Sequence, residues 1–353
     1  MRMFVMASGP APYIYLCTRM RVRKSKLIQR DEYFRMLNMS LPEITRVIEE
    51  TAYKKEIDEL GSNFKGIDLI EVALSWNLAK EYQKILEITP GTLKQFTSSY
   101  LRRWDIQNVL NILRGKMQGE KAGKIKEILI PAGTLDRVTL DRLVAEDTID
   151  QIIDALKGHR MYPVLLEKIE EAKETGSFSK IENELYRQFY ADIIDEAESG
   201  IKGGKLFLSF IKFDIDIKNI KTLFRLRADS FEEDPHEMFI TGGSLTVDDF
   251  VRLNAIKDLV EFINALKMIV HQKNLLVFLD ELKSEKKVRD IEVRLTSVQL
   301  DQMEWMSKLH PFSIHPILVY LEKKKYEVFN LRALARGKES KLSPDKITKY
   351  LVM

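Results

Sequence analysis

Four Gly-Lys pairs, five histidines, one cysteine and many carboxylates are the residues of this 353-residue chain whose chemistry needs testing first. Gly115-Lys116, Gly123-Lys124, Gly204-Lys205 and Gly337-Lys338 suggest phosphate binding. A phosphate-cradling loop needs an upstream Gly at fixed spacing, a following Ser or Thr and a preceding strand, and none of the four has them. Gly115 and Gly337 read instead as left-handed residues that stop a helix, with Lys116 and Lys338 near its negative end. His159, His236, His271, His310 and His315 contain no pair three or four apart, the spacing that helical metal sites use. Glu232-Glu233-Asp234 is acidic, yet no calcium-loop spacing surrounds it. Ser-His-Asp and Cys-His chemistry leave no local trace. The lone Cys17 excludes an intramolecular disulfide and an all-cysteine metal site, and it fits a reducing compartment. The reading is therefore of a non-catalytic chain without metal, cofactor or small-molecule substrate.

A second set of polar residues recurs in register. Asp105, Asn108 and Arg114 return as Asp216, Asn219 and Arg225, then as Glu327, Asn330 and Arg336, with successive Asn residues 111 apart. On a helix of about 100° per residue, the positions one, four and five after each Asn form one stripe, and all are apolar: Val109, Ile112, Leu113; Ile220, Leu223, Phe224; Leu331, Leu334, Ala335. The Arg points away from that stripe. Asp105 and Asp216 read as helix N-caps, and each Asn as bonding backbone in its own turn. Glu327 follows Lys323-Lys324-Lys325-Tyr326 in a continuous helical pattern, where a cap fits less well. The cationic ends Arg114/Lys116, Arg225/Arg227 and Arg336/Lys338 either offset the helix dipole or face a partner, and both readings stay open.

These residues need elements to position them. An irregular start at Gly9-Pro10 precedes a helix over 13–38 carrying Arg19, Arg21, Arg23, Lys24 and Lys26, a solvated face or the face for an acidic partner. Ser40-Leu41-Pro42-Glu43 opens the next helix with a capping box. A long helix over about 66–88 contains Ile70-Glu71-x-x-Leu74, repeated as Ile181-Glu182-x-x-Leu185 and Ile291-Glu292-x-x-Leu295. Each copy turns, continues as a short helix and reaches the Asp/Asn/Arg helix. Ile130-Pro-Ala-Gly133-Thr134-Leu135 and Ile240-Thr-Gly-Gly243-Ser244-Leu245 mark the joints, each an extended piece, a Gly turn and a Ser/Thr cap. No segment has a strand period. The expectation is an all-α chain of three similar units, 1–124, 125–235 and 236–353, with an N-terminal helix before the first.

Composition supports that size and excludes several functions. With 45 % hydrophobic and 31 % charged residues the chain has the profile of a helical globular protein. A net charge of +3 is too small for a general nucleic-acid or membrane-surface binder. No apolar run reaches the ~18 residues of a membrane span, and the N-terminal segment lacks the order of a signal peptide.

Three signatures in register carry a resemblance. Tyr100-Leu-Arg102-Arg103-Trp-Asp105-Ile-Gln-Asn108, the Arg-Gly-Lys runs ending at Lys116 and Lys338, the segment from His310-Pro-Phe-Ser-Ile-His315 and the two Gly-Ser/Thr-Leu joints resemble the C-type subunits of archaeal and bacterial A/V-type ATP synthases. The resemblance covers the chain from about Tyr13 onward. It implies three helical domains about a pseudo-threefold axis, forming a funnel with a central cavity. It also implies a peripheral protein on the cytoplasmic face of the membrane, monomeric within its complex. The implied partners are central stalk proteins of the D and F type and the c/K-type proteolipid rotor ring, and the implied role is to pass torque between them. Arg102, Arg103, Arg114, Lys116, Arg225, Arg227, Arg336 and Lys338 are the expected partner-facing cations. A helical-repeat scaffold unrelated to rotation is the alternative.

Overall fold

Apolar residues spaced three and four apart make helices that must bury one face, and the computed structural model contains twenty of them and no strand among its described residues, 11–228, 235–282 and 287–353. The expected irregular start at Gly9-Pro10 and the acidic run at 232–234 lie outside the described residues. The first helix, α1 (Ala11–Lys24), precedes an order that recurs three times. Three short helices come first: α2 (Arg30–Met36), α3 (Leu41–Glu49) and α4 (Lys54–Leu60); α9 (Arg137–Ala145), α10 (Ile149–Ala155) and α11 (Tyr162–Thr175); α15 (Val247–Ala255), α16 (Leu259–Ile269) and α17 (Lys273–Glu281). A long helix carrying the Ile-Glu signature follows: α5 (Gly66–Ile88), α12 (Ser179–Glu198) and α18 (Val288–Leu309). Then comes the motif helix: α6 (Gly91–Leu101) with α7 (Arg103–Met117), α13 (Gly204–Ala228) and α19 (His315–Glu339), each followed by a short one: α8 (Ala122–Ile128), α14 (Pro235–Met238) and α20 (Pro344–Thr348).

The expected short helix before the motif helix exists separately only in the first copy, where α6 and α7 meet at Arg102; α13 and α19 are continuous over 25 residues each. Burial is continuous as well. One apolar cluster runs from Leu16 to Leu351. The motif helices lie at its centre: α13 packs on α12 and α18, and α19 packs on α18, α1 and α5, so the last copy meets the first.

Local chemistry explains several boundaries. Glu43 accepts from the Ser40 amide and hydroxyl at 2.8 and 2.7 Å, opening α3 as expected. The helix expected over 13–38 is broken after Lys24, because the Ile28 amide leaves the helical ladder and donates to Glu327 at 2.6 Å. Thr134 and Ser244 do not cap the helices they precede; Asp136 caps α9 and Thr246 caps α15. Gly115 and Gly337 do not stop their helices either. Both lie inside them, where an added Cβ would stand 2.7 and 2.6 Å from side-chain carbons of Ile125 and Ile347. The missing side chain lets α8 press onto α7 and α20 onto α19. The left-handed residues come four positions later, at Gly119 and Lys341.

Candidate functional site

The triplicated acid and amide do not serve their own helix ends. Asp105, Asp216 and Glu327 are buried inside α7, α13 and α19. Asp105 accepts from the amides of Thr134 and Leu135 at 2.8 and 2.9 Å and from the Thr134 hydroxyl at 2.8 Å. Asp216 accepts from the Leu245 amide at 3.1 Å. Glu327 takes the Ile28 amide, the Tyr53 hydroxyl at 2.6 Å and the Lys324 ammonium at 2.8 Å. Leu135, Leu245 and Ile28 each stand one residue before the N-cap of a first short helix, so each acid pins the start of the following unit, and the third pins the start of the first. Gly133 and Gly243 permit this approach, since an added Cβ would sit 2.2 Å from a carboxylate oxygen of Asp105 or Asp216. Burial raises the Asp105 carboxyl and pushes Asp216 up to about 6, against the hydrogen bonds that favour the charged form.

The Asn residues form a two-bond latch. Asn108 donates to the Ile130 carbonyl at 2.7 Å and accepts its amide at 2.9 Å; Asn219 does the same to Ile240 at 2.7 and 2.9 Å. Asn330 holds Val352 with two bonds of 2.8 Å. Each amide therefore satisfies an extended segment 21 or 22 residues downstream rather than backbone in its own turn.

The triplicated cations follow the same cyclic order. Arg114 pairs with Glu182 at 2.5 Å, Arg225 with Glu292 and Arg336 with Glu71, so the Glu of each long-helix signature receives the Arg of the preceding unit. Lys116 donates to the Glu146 carbonyl at 2.5 Å, Arg227 to those of Ile256 and Lys257, and Lys338 to that of Leu37, all three at the C-terminal ends of first short helices. These cations do offset a helix dipole, but that of a neighbouring helix. Arg102 faces Glu196 at 3.5 Å. Arg103 goes to the centre, with Asp214 at 2.9 Å, Glu322 at 3.2 Å and the Tyr100 ring centroid 3.7 Å from its guanidinium carbon.

A family model for the ATP synthase (C/AC39) subunit matches residues 16–350. The chain belongs to that family. It is 36 % identical to the C-type subunit of the A-type ATP synthase of Archaeoglobus fulgidus, over 97 % of each chain. It is 38 % identical to that of Methanosarcina acetivorans, over 98 % of this chain and 94 % of the relative, and 32 % identical to that of Haloferax volcanii, over 96 % and 97 %. Among the described residues of this C/AC39-family chain no helix is long and apolar enough to cross a membrane.

Sequence reasoning missed the partners of Arg103. Asp214 and Lys325 occupy its register position, five residues before Asn219 and Asn330, but their types differ, so the motif did not include them. In this C/AC39-family protein Asp214 is saturated by Arg103, the Tyr190 hydroxyl at 2.8 Å and the Gln299 amide at 2.6 Å. Burial works against its charge, yet the Arg103 guanidinium holds Asp214 below the usual carboxylate range. Glu322 is taken by Arg103, the Tyr100 hydroxyl at 2.8 Å and Lys325. The recurrence of one register position was the signal available, and three unlike side chains concealed it.

Proposed function

We propose that the chain is a non-catalytic rotor component of an A-type ATP synthase, joining the central stalk to the membrane rotor ring and passing torque between them. Three modules, 1–124, 125–235 and 236–353, form a funnel in this reading, peripheral on the cytoplasmic side and present once per complex. The observation that carries it is the cyclic order of contacts, in which every unit pins the start of the next and the last pins the first. A torque coupler must resist shear in all directions, and an open array has two free ends at which it yields. Contacts between α5 and α19 weigh against the extended-scaffold alternative, whose repeats meet only their chain neighbours. The partner surface includes the outer faces of Arg225 and Arg336, whose side chains keep 58 % and 61 % of their area exposed while paired.

The test is co-purification of the tagged full chain from its native membranes in detergent, followed by reconstitution of the complex without it. Stalk and ring proteins are expected to accompany the tag, and the complex lacking the chain is expected to hydrolyse ATP without moving ions. A chain that binds neither stalk nor ring overturns the proposal.

A further inference from the structure

Between the motif helices α7, α13 and α19 and the long helices α12 and α18 lies a cavity of about 220 Å³ with charge of uneven sign. Four cations line it, Arg103, Lys218, Lys221 and Lys325, against two carboxylates, Asp214 and Glu322. Those carboxylates are committed to Arg103 and Lys325 and to the hydroxyl and amide donors that saturate them. Two ammonium groups are left without a carboxylate in ion-pair range among the described residues. Lys218 lies 3.1 Å from the Tyr186 ring centroid, and Lys221 donates to the Thr296 hydroxyl at 2.7 Å. Three residues apart on α13, they present their charges to one face. Arg103 adds an Nε–H that is buried and meets no acceptor among the described residues.

We propose that this cavity binds a divalent tetrahedral oxyanion of the sulfate and hydrogen-phosphate class, held by Lys218 and Lys221. Two negative charges answer the two uncompensated ammonium groups, and oxygens arranged in a tetrahedron accept from several donors at once. The cavity has room for one such ion with a few waters, each taking about 30 Å³. A larger groove of about 750 Å³, lined by Lys168, Lys180 and Arg225 and by the carboxylates Glu171 and Glu182, also reaches Lys218 and Lys221, so these two residues are shared between groove and cavity.

Titration behaviour agrees with the geometry. Burial brings Lys218 down to about 7 and Lys221 to about 8. Several groups face them. α7 supplies Arg103, α12 supplies Glu182, Tyr186 and Tyr190, and α18 supplies Glu292. α19 supplies Glu322, Lys325 and Tyr326, and their own helix supplies Asp214. The acids do not offset the loss of water, so an anion that does will restore the charge of both lysines and draw protons in as it binds.

Calorimetric titration of the full chain with sulfate, which keeps its charge across the range, reads this directly. One saturable site is expected at pH 6, where both lysines already carry their charge, with heats that depend on the ionisation enthalpy of the buffer near pH 8 and affinity at least about tenfold weaker at pH 9. Phosphate is expected to compete for it. Lys218→Met and Lys221→Gln are each expected to weaken sulfate at least about tenfold, while exposed Lys205→Met leaves it unchanged. No saturable binding below about 10 mM, equal affinity in wild type and both cavity variants, or affinity independent of pH overturns the site. Should one variant fail to fold, the other and the wild-type pH comparison still decide.

Discussion

Asn219→Leu removes a side chain that bonds both backbone groups of Ile240, at 2.7 and 2.9 Å, in a setting where Asn219 is 1 % and Ile240 5 % exposed. Leucine keeps the branching and the number of heavy atoms, with methyl groups in place of Oδ1 and Nδ2, so both hydrogen bonds go while the side-chain skeleton stays. Water cannot reach the freed carbonyl and amide, and each orphaned group costs about 1–3 kcal/mol, which gives a total of about 2–6 kcal/mol. Two readouts separate this from a general weakening. Chemical denaturation followed by circular dichroism gives the overall loss, and hydrogen exchange at the Ile240 amide reports the latch itself. A loss under about 1 kcal/mol, or unchanged exchange at Ile240, would show that the joint between the second and third units is held by packing and not by the amide.

Three further outcomes are expected. The Asp216 carboxyl binds its proton up to about pH 6 in the folded chain but releases it near its ordinary 3.8 when unfolded, so stability should fall as pH rises between those values. Asp216→Asn should remove about 3 kcal/mol of that decline in melting curves taken from pH 3.5 to 7, leaving what the raised Asp105 carboxyl contributes; a decline as steep as in the wild type would assign it to other groups. Gly133→Ala and Gly243→Ala drive a methyl to 2.2 Å from the Asp105 and Asp216 carboxylates, and each should cost about 1–3 kcal/mol in urea denaturation, while Gly123→Ala, with nothing within 4 Å, costs none. Reversing Arg114, Arg225 and Arg336 to Glu sets like charges together at three joints and should lower the melting temperature, with recovery when Glu71, Glu182 and Glu292 become Arg. Without recovery, these charges would not be acting through one another.

Much of the helical framework was legible because burial acts on period: the apolar stripe beside each Asn and the long-helix signature follow from the spacing of side chains along one helix. Glu43 and Ser40 were legible for the same local reason. The destinations of polar side chains were not. Asp105 resembles an N-cap in sequence, and nothing within its own turn discloses that Thr134 and Leu135 will arrive beside it. Gly115 resembles a helix stop because the sequence cannot show Ile125 folding back onto it. The helix over 13–38 failed at Ile28, whose amide is claimed by Glu327 some three hundred positions away. The repetition itself held the clue: Arg114 and Glu182 recur at matched places, so a contact across one joint implied the same contact across the others. Sign and spacing did not disclose the carboxylates and carbonyls of this same chain that the triplicated cations meet, and Arg225 and Arg336 keep more than half of their side-chain area exposed while paired.

The head-to-tail order of these joints has a consequence for how such a chain arose. A lone unit would carry both halves of the latch and both members of the Arg–Glu pair, so three separate copies could close as a cyclic trimer. Identical copies, however, would bring three like charges together at the place where Arg103, Asp214 and Lys325 now stand. Covalent fusion releases that position from symmetry, letting plus, minus and plus share one centre, and it converts a self-repelling hub into an asymmetric one.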